Sequence, residues 1–359
     1  MICFRFSVPT IALISCLAAP SLSQAQTTAI VEFFAGGKMQ QGLPLVDYAH
    51  EMVVIGRDGW MHSIDPRKPS AKVRHLEGKY SVASVAELRN ELRGEFGAEF
   101  EVLTTANFLV VQPRGRGDRW PRMFEQSHRG FIAYMQKRGV RIRKGRFPLV
   151  AIVFPDERAM YSEFKRQDLD VSRVAGLYSG DSNRVMTHDG GRSSFIAATV
   201  RHEAAHQSAF NYGVHSRVND TPRWITEGVG QMFEPAAMTS GTSSRLADRI
   251  NRDSLTFIQT QFEGRDDSKF SQSMMRLVSD DLMFESEKEI DEAYAVSWAM
   301  MFYLAERQPK AFAEVLNYTA ARPPFRAYSR AERLKDFERI VGEPPLEFSR
   351  RVAWWLAKQ

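Results

Sequence analysis

The residues best suited to chemistry lie at positions 202–206, which read His-Glu-Ala-Ala-His. On an α-helix, side chains four residues apart project from the same face, so His202 and His206 can both reach one metal ion. Imidazole nitrogens are common zinc ligands. Glu203 lies about 100° round the helix from His202, beside such a metal rather than on it. The pattern predicts a zinc site on a helix, with Glu203 as the general base that takes a proton from water.

A second segment, further along the chain, offers a third ligand. Pro222 suits the first position of a helix, and Asp220 or Thr221 suits the cap before it. Glu227 would then lie in the first or second turn of a helix that can pack beside the first. Two histidines and one glutamate leave the fourth tetrahedral position open, which is typical of a catalytic rather than a structural zinc site. We therefore expect one Zn²⁺ per chain with three protein ligands: His202, His206 and Glu227.

Two polar residues follow on the helix of Glu227. The side chains of Gln231 and Glu234 could each hold the second ring nitrogen of a ligand histidine. Such a contact fixes the orientation of the ring and makes it a better ligand. We therefore expect Gln231 and Glu234 to support the metal ligands without touching the metal.

The two motifs together resemble those of the gluzincin metallopeptidases, the clan of thermolysin and the zinc aminopeptidases. The shared features are His-Glu-x-x-His and then Trp-x-x-Glu-Gly, with Glu227 placed 21 positions after His206. More closely, residues 201–207, 222–234 and 294–298 resemble the peptidase MA-like family called domain of unknown function 1570. Members of that family are largely uncharacterised, so the resemblance implies the chemistry of the clan and names no substrate.

The resemblance implies further site residues. In the aminopeptidase branch, a tyrosine well beyond the glutamate ligand stabilises the oxyanion that forms on the substrate, and Tyr294 stands at that place. Tyr294 and Trp298 are also four residues apart on an apolar helix face, so a packing role stays open. Thermolysin-like enzymes carry an aspartate four residues beyond the glutamate ligand, where this chain has Gln231. The run before the active-site helix resembles the edge strand along which such enzymes bind an extended peptide: Asn183, Arg184, Val185, Met186 and Thr187.

The order of β-like and helical segments predicts an α+β protein with three parts. Residues 26–75 alternate short apolar runs with turns, including the hairpin signal Asp58-Gly59, and suggest a small β-rich, barrel-like domain. Residues 76–235 interleave strands and helices, and the resemblance implies a zincin-like catalytic domain with a mixed sheet and the active-site helix. Residues 236–359 are almost wholly helical and are expected to complete the active-site cleft.

The first 25 residues have the pattern of a secretory signal peptide, with a basic start, an apolar stretch and a small-x-small site at residues 23–25. We expect export to the periplasm or the extracellular space. Residues 13–16, Leu-Ile-Ser-Cys, also resemble a bacterial lipobox, which would instead leave Cys16 lipidated as an anchor. The apolar stretch is shorter than the roughly 20 residues of a membrane span, and no later segment is apolar enough to form one.

The composition is that of a globular protein, with 43% hydrophobic and 25% charged residues in a chain of 359. The formal net charge of +5 is small for this length and does not indicate a nucleic-acid partner. We expect a peptide or protein substrate that is hydrolysed at a peptide bond, and the sequence leaves the oligomeric state open. Two alternatives are a non-catalytic binding or scaffold protein with a peptidase-like fold, and a zinc hydrolase acting on a non-peptide amide. The complete ligand set and Glu203 favour the peptidase.

Overall fold

The computed structural model describes residues 30–169, 174–190, 193–240, 245–262 and 268–359. The predicted signal peptide (residues 1–25) and the alternative lipid anchor at Cys16 lie outside these ranges. Within them the chain forms two five-stranded sheets and a largely helical C-terminal region, so the predicted α+β class is confirmed. None of the described helices is both long enough and apolar enough to cross a membrane.

Short strands with alternating apolar residues form the first sheet, which is antiparallel throughout. Its strands are β1 (Ile30–Ala35), β2 (Lys38–Asp47), β3 (Met52–Gly56), β4 (Met61–Ile64) and β5 (Arg74–Leu76), in the order β4-β3-β2-β1-β5. Val31 and Phe33 of β1 point to one face and pack with Met52 and Val54 of β3 in a small core. The predicted hairpin is confirmed, because β3 and β4 pair around a turn in which Gly59 has φ 90°.

The described strands of this sheet form an open sheet, whereas a barrel-like arrangement was expected for residues 26–75. β4 and β5 lie at its opposite edges. Two features account for the difference. These edge strands are only four and three residues long, and the backbone N–H of Met61 in β4 donates to the carbonyl oxygen of Asp181 at 2.8 Å. The β4 edge therefore contacts the remainder of the chain instead of closing on β5.

The second sheet is mixed and packs against the helix that carries His202 and His206. Its strands are β6 (Phe100–Thr104), β7 (Phe108–Pro113), β8 (Leu149–Phe154), β9 (Gly176–Ser179) and β10 (Arg184–His188), in the order β6-β7-β8-β10-β9. The central strand β8 is buried along its whole length. Val150 and Ile152 face a core with α1 (Val85–Phe96) and α3 (Glu157–Arg166), whereas Ala151 and Val153 face α2 (Arg119–Lys137) and α4 (Ser193–Asn211). Helices on both faces explain why β8 reads as an unbroken apolar run.

The predicted edge strand is wrong. Residues 184–187 lie in β10, which is parallel to β8 on one side and antiparallel to β9 on the other, so β9 holds the edge position. Asn183 is not in a strand: it has φ 60° in a tight turn, and its N–H donates to the Ser179 carbonyl oxygen at 2.9 Å. This turn reverses the chain and places residues 176–179 outside residues 184–187. The four residues of β9 are too few to show a strand pattern in the sequence.

The C-terminal region packs its helices around one central helix. They are α5 (Arg223–Phe233), α6 (Arg252–Gln261), α7 (Ser268–Ser279), α8 (Ile290–Arg307), α9 (Pro309–Ala320), α10 (Arg330–Val341) and α11 (Pro345–Leu356), with short 3₁₀ helices between several of them. From Ala293 to Ala305 every residue of α8 is buried, as expected for a helix that is apolar all round. This region contributes to the largest hydrophobic core, which also includes parts of α2 and α4.

Candidate metal centre

Two neighbouring helices bring the three predicted ligands together. α4 carries His202 and His206 one turn apart, and α5 carries Glu227. The relative exposure of these residues is 0%, 3% and 3%. The Nε2 atoms of the two histidines lie 2.9 Å apart, and Glu227 Oε2 lies 3.4 Å from each of them. The three donor atoms therefore converge on one buried point.

The spacing of these atoms fits a tetrahedral metal ion. Bonds of about 2.0–2.1 Å to a tetrahedral zinc would separate neighbouring ligand atoms by about 3.3–3.4 Å. Two of the three observed distances are 3.4 Å. Glu227 Oε2 is buried and has no hydrogen-bond partner among the described residues, a costly arrangement unless another group satisfies it. The group of His202, His206 and Glu227 could therefore hold a metal ion.

The electrostatics at this point favour a cation. Burial alone would lower the pKa of His202, but its contacts with Glu227 and Glu234 raise that pKa to about 10. Burial alone would raise the pKa of Glu227, but the adjacent His206 and His202 hold it well below its usual range. Both shifts reflect a buried carboxylate that attracts positive charge. A metal cation would supply positive charge at the same place.

A polar network behind His202 fixes its ring. Glu234 Oε1 lies 2.9 Å from His202 Nδ1, the nitrogen that does not face Glu227, so Glu234 contacts a ligand histidine as predicted. The Asn251 side-chain amide donates to Glu234 Oε2 and to Gln231 Oε1, each at 2.9 Å. Ser254 Oγ donates to the same Gln231 oxygen at 3.1 Å. Among the described residues, the Gln231 side-chain oxygen therefore pairs with Asn251 and Ser254 rather than with a histidine ring as predicted.

Two residues that support the elements of the centre were not predicted from the sequence. Asn251 is the N-cap of α6, which is the only role its local sequence indicates. Gln207 follows His206, and its side-chain amide donates to the carbonyl oxygens of Val150 and Asn183 at 2.9 and 2.8 Å. These two hydrogen bonds link α4 to strand β8 and to the turn at Asn183. The sequence around Gln207 contains no pattern that would predict these hydrogen-bond partners.

Glu203 faces the edge of the sheet rather than joining the three donor atoms. It is 1% exposed, and its Oε2 accepts a hydrogen bond from the backbone N–H of Tyr178 in β9 at 2.7 Å. Burial raises the pKa of Glu203, while His202 and His206 act in the opposite direction. The side chain is thus an acceptor held beside the possible metal site by the edge strand.

Tyr294 lies next to the ligand histidines, near the start of α8. It is 7% exposed, and its ring stands edge-on to that of His202 with 6.4 Å between centroids. The ring also stands edge-on to that of Phe284, with 5.6 Å between centroids. Trp298, one turn further on, is fully buried and stacks on Phe302. Tyr294 is therefore both part of the packing and close to the site.

Two glycines let α5 approach its neighbours. A Cβ atom at Gly228 would lie 2.5 Å from the Ser297 carbonyl oxygen of α8. A Cβ atom at Gly230 would lie 2.6 Å from both Cε1 and Nε2 of His202. Real Cβ atoms do not come this close to other atoms, so α5 can present Glu227 to the histidines only while these positions carry no side chain.

We expect Gly230→Ala to disturb the centre directly, since the new methyl group would push His202 Nε2 from its position. Overpacking of this kind costs about 1–3 kcal/mol of stability, and metal affinity should fall with it. The matched control is Gly94→Ala in α1, where a Cβ atom meets nothing within 4 Å. There the substitution should stabilise the helix by about 0.5–1 kcal/mol. Thermal denaturation and metal titration of both variants check this expectation, and unchanged metal binding in Gly230→Ala would contradict it.

Comparison with known proteins finds a family model that matches part of the chain. Residues 196–326 match the family described as "Protein of unknown function (DUF1570)". The matched segment covers somewhat over a third of the chain and includes His202, Glu203, His206, Glu227 and Tyr294. The chain is also similar to Antichymotrypsin-2 of Bombyx mori, with 28% identity over 153 residues, which are 40% of this chain and 36% of that protein. The chain thus spans only about a third of the length of this relative.

Proposed function

We propose that the protein is a zinc-dependent peptidase of the gluzincin type with a zincin-like catalytic domain. The observation that carries the proposal is the convergence of His202 Nε2, His206 Nε2 and Glu227 Oε2 within 3.4 Å of one another. Beside it, on the same helix, Glu203 is an additional buried carboxylate. Three ligands with a separate acceptor match what a zinc hydrolase needs. The export predicted from residues 1–25 is part of the proposal.

Zinc is the metal that best suits two imidazoles and one carboxylate in a site of low coordination number. When bound, it supplies Lewis acidity, which polarises the scissile carbonyl and lowers the pKa of water towards about 7. Glu203 takes the proton from the attacking water and passes it to the departing amine. Glu234 keeps the His202 ring in the ligand orientation through its contact with Nδ1.

The edge strand β9 supports a peptide rather than a small amide as the substrate. Tyr178 of β9 touches Glu203 through its backbone N–H, so a chain lying beside β9 would pass the general base. Extended peptides commonly bind by adding a strand to a sheet edge. In our proposal β9, at residues 176–179, takes the role that the sequence had suggested for residues 183–187.

Tyr294 is proposed to donate its hydroxyl hydrogen to the oxyanion that forms on the substrate carbonyl. Loss of one such donor typically lowers kcat by about 10²- to 10³-fold. Tyr294→Phe should therefore lower kcat by about 10²-fold with little change in KM, because the donor acts in the transition state. The control is Tyr303→Phe, since Tyr303 lies on the same helix and is 8% exposed. Wild-type turnover in Tyr294→Phe would leave the residue with a packing role only.

The proposed function is tested by incubating the purified protein with an unbiased peptide mixture and identifying new termini by mass spectrometry. We expect cleavage that stops when a zinc chelator is added and returns when zinc is restored. If the protein binds zinc and yet cleaves no peptide, the proposal fails and a binding or scaffold function becomes the better interpretation.

A further inference from the structure

A cleft of about 480 Å³ lies between the first sheet and the turn that joins β9 to β10. One wall is β4 with the short 3₁₀ helix at Pro69–Ala71, including Trp60 and Ser70. The other wall includes Ser179, Asp181 and Ser182. Its volume falls within the roughly 300–1,000 Å³ of typical ligand sites.

Arg217 fixes the two walls relative to each other. Its guanidinium donates to the carbonyl oxygens of Gly180 and Asp181 in the turn at 2.6 and 2.9 Å. It also donates to the carbonyl oxygen of Gly59 in the β3–β4 turn at 2.8 Å. Together with the bond from Met61 N–H to the Asp181 carbonyl oxygen, these contacts hold the first sheet against the catalytic part. These hydrogen bonds therefore fix the positions of the two walls of the cleft.

The cleft begins one residue along the chain from the residue of β9 that contacts Glu203. Ser179 lines it, and the preceding residue, Tyr178, is the one whose N–H holds Glu203. A strand advances about 3.3 Å per residue. A chain bound along β9 with one peptide bond at Glu203 would enter the cleft within about two residues, or about 7 Å.

The lining suits a polypeptide segment. Trp60 and Phe34 provide aromatic surface, and Asp65 and Asp181 provide polar surface. Ser63 and Ser70 also line the cleft and are exposed, so their hydroxyl groups can form hydrogen bonds with a peptide backbone.

We propose that this cleft binds the substrate chain at residues away from the cleaved bond, and that the substrates are extended polypeptides cut at internal bonds. The inference rests on the proposed function, because it takes Glu203 as the place of cleavage. It assigns the first sheet a role in substrate binding. It also favours endopeptidase over exopeptidase action, since a substrate that fills the cleft continues beyond the catalytic residues.

The test places a photoreactive group in the cleft. Ser70 is exposed and lines the cleft, and both cysteines of the chain lie at positions 3 and 16. Ser70→Cys can therefore be labelled with a benzophenone and its adducts assigned by peptide mapping. The matched control is Thr260→Cys, at an exposed position of α6 that does not line the cleft. Both are combined with Glu203→Gln and illuminated with a reduced, carboxymethylated polypeptide as the probe.

We expect capture of the polypeptide at position 70 to exceed capture at position 260 several-fold, and the unlabelled wild type to cut the same polypeptide at internal bonds. Equal capture at the two positions would overturn the inference. Internal cleavage without preferential capture would leave the proposed function standing and remove the cleft from it. Preferential capture without cleavage by the wild type would support the cleft as a polypeptide-binding site and contradict the proposed function.

Discussion

Glu203→Gln should lower peptide hydrolysis by about 10²- to 10⁴-fold, the range that general-base catalysis typically contributes. The amide keeps the size of the carboxylate and can still accept the hydrogen bond from Tyr178 N–H. It cannot take a proton from water at neutral pH. Because Glu203 is not one of the three converging donors, the metal content and thermal stability should stay close to those of the wild type. The rate of hydrolysis of a peptide identified with the peptide mixture measures the first effect. Metal analysis and thermal denaturation measure the second.

The matched control for this prediction is Glu314→Gln, an exposed position of α9. It removes the same charge from the protein and should leave the rate unchanged. If Glu203→Gln cleaves as fast as the wild type, the assigned general base is wrong even though the metal ligands could be right. If the variant loses activity together with its metal, Glu203 supports the metal centre rather than the proton transfer.

Glu227→Ala is expected to have the largest effect on metal binding. The substitution removes one of the three converging donor atoms, a carboxylate oxygen that lies 3.4 Å from both histidine Nε2 atoms. Removing a partner that merely orients a ligand typically costs 10- to 100-fold in metal affinity. Loss of the ligand itself should cost more than that roughly 100-fold, and hydrolysis should be lost with the metal. Competition titration with a chromogenic chelator measures the affinity.

Glu234→Gln provides a comparison in which a smaller loss of metal affinity is expected. Its side chain keeps an oxygen for His202 Nδ1, the atom that Glu234 Oε1 now contacts at 2.9 Å, but loses the negative charge. The affinity should therefore fall by no more than about 10- to 100-fold. A metal that stabilises the folded state should also raise the melting temperature of the wild type more than that of Glu227→Ala. Equal affinities in the wild type, Glu234→Gln and Glu227→Ala would show that the metal binds elsewhere.

The three converging residues could be predicted from the sequence because most of their geometry is local. His202 and His206 share a helix face through their spacing alone, and the helix signal at Pro222 fixes the position of Glu227 within its first turns. Only the packing of the two helices had to be assumed. The α+β class follows in the same way from local periodicity and the order of the segments.

The features that the sequence did not reveal depend on partners distant in the chain. Asn251 reaches Glu234 from another helix, and no local pattern distinguishes it from any other N-cap. The edge position of β9 is set by its pairing with β10 and by the turn at Asn183. The need for glycine at position 230 becomes visible only when His202 lies against it. In each case the role of the residue depends on a contact between elements that are distant in the sequence. Such a contact produces no periodic sequence pattern from which it could be predicted.

The barrel-like arrangement expected for residues 26–75 differs from the observed open sheet for a related reason. Alternation correctly indicated short antiparallel strands, but closure depends on which groups the outer strands meet. In the structure the β4 edge meets the turn after β9, through Met61 and Asp181. The same contact joins the two walls of the cleft proposed for substrate binding.

The most direct test of the metal centre is anomalous diffraction at the zinc absorption edge from crystals grown with zinc. The expected result is one strong peak per chain, about 2.0–2.2 Å from His202 Nε2, His206 Nε2 and Glu227 Oε2. Crystals of Glu227→Ala grown in the same way should show no peak at this position. A peak bound to other residues, or none at the three converging atoms in the wild type, would contradict the assignment of His202, His206 and Glu227 as the metal ligands.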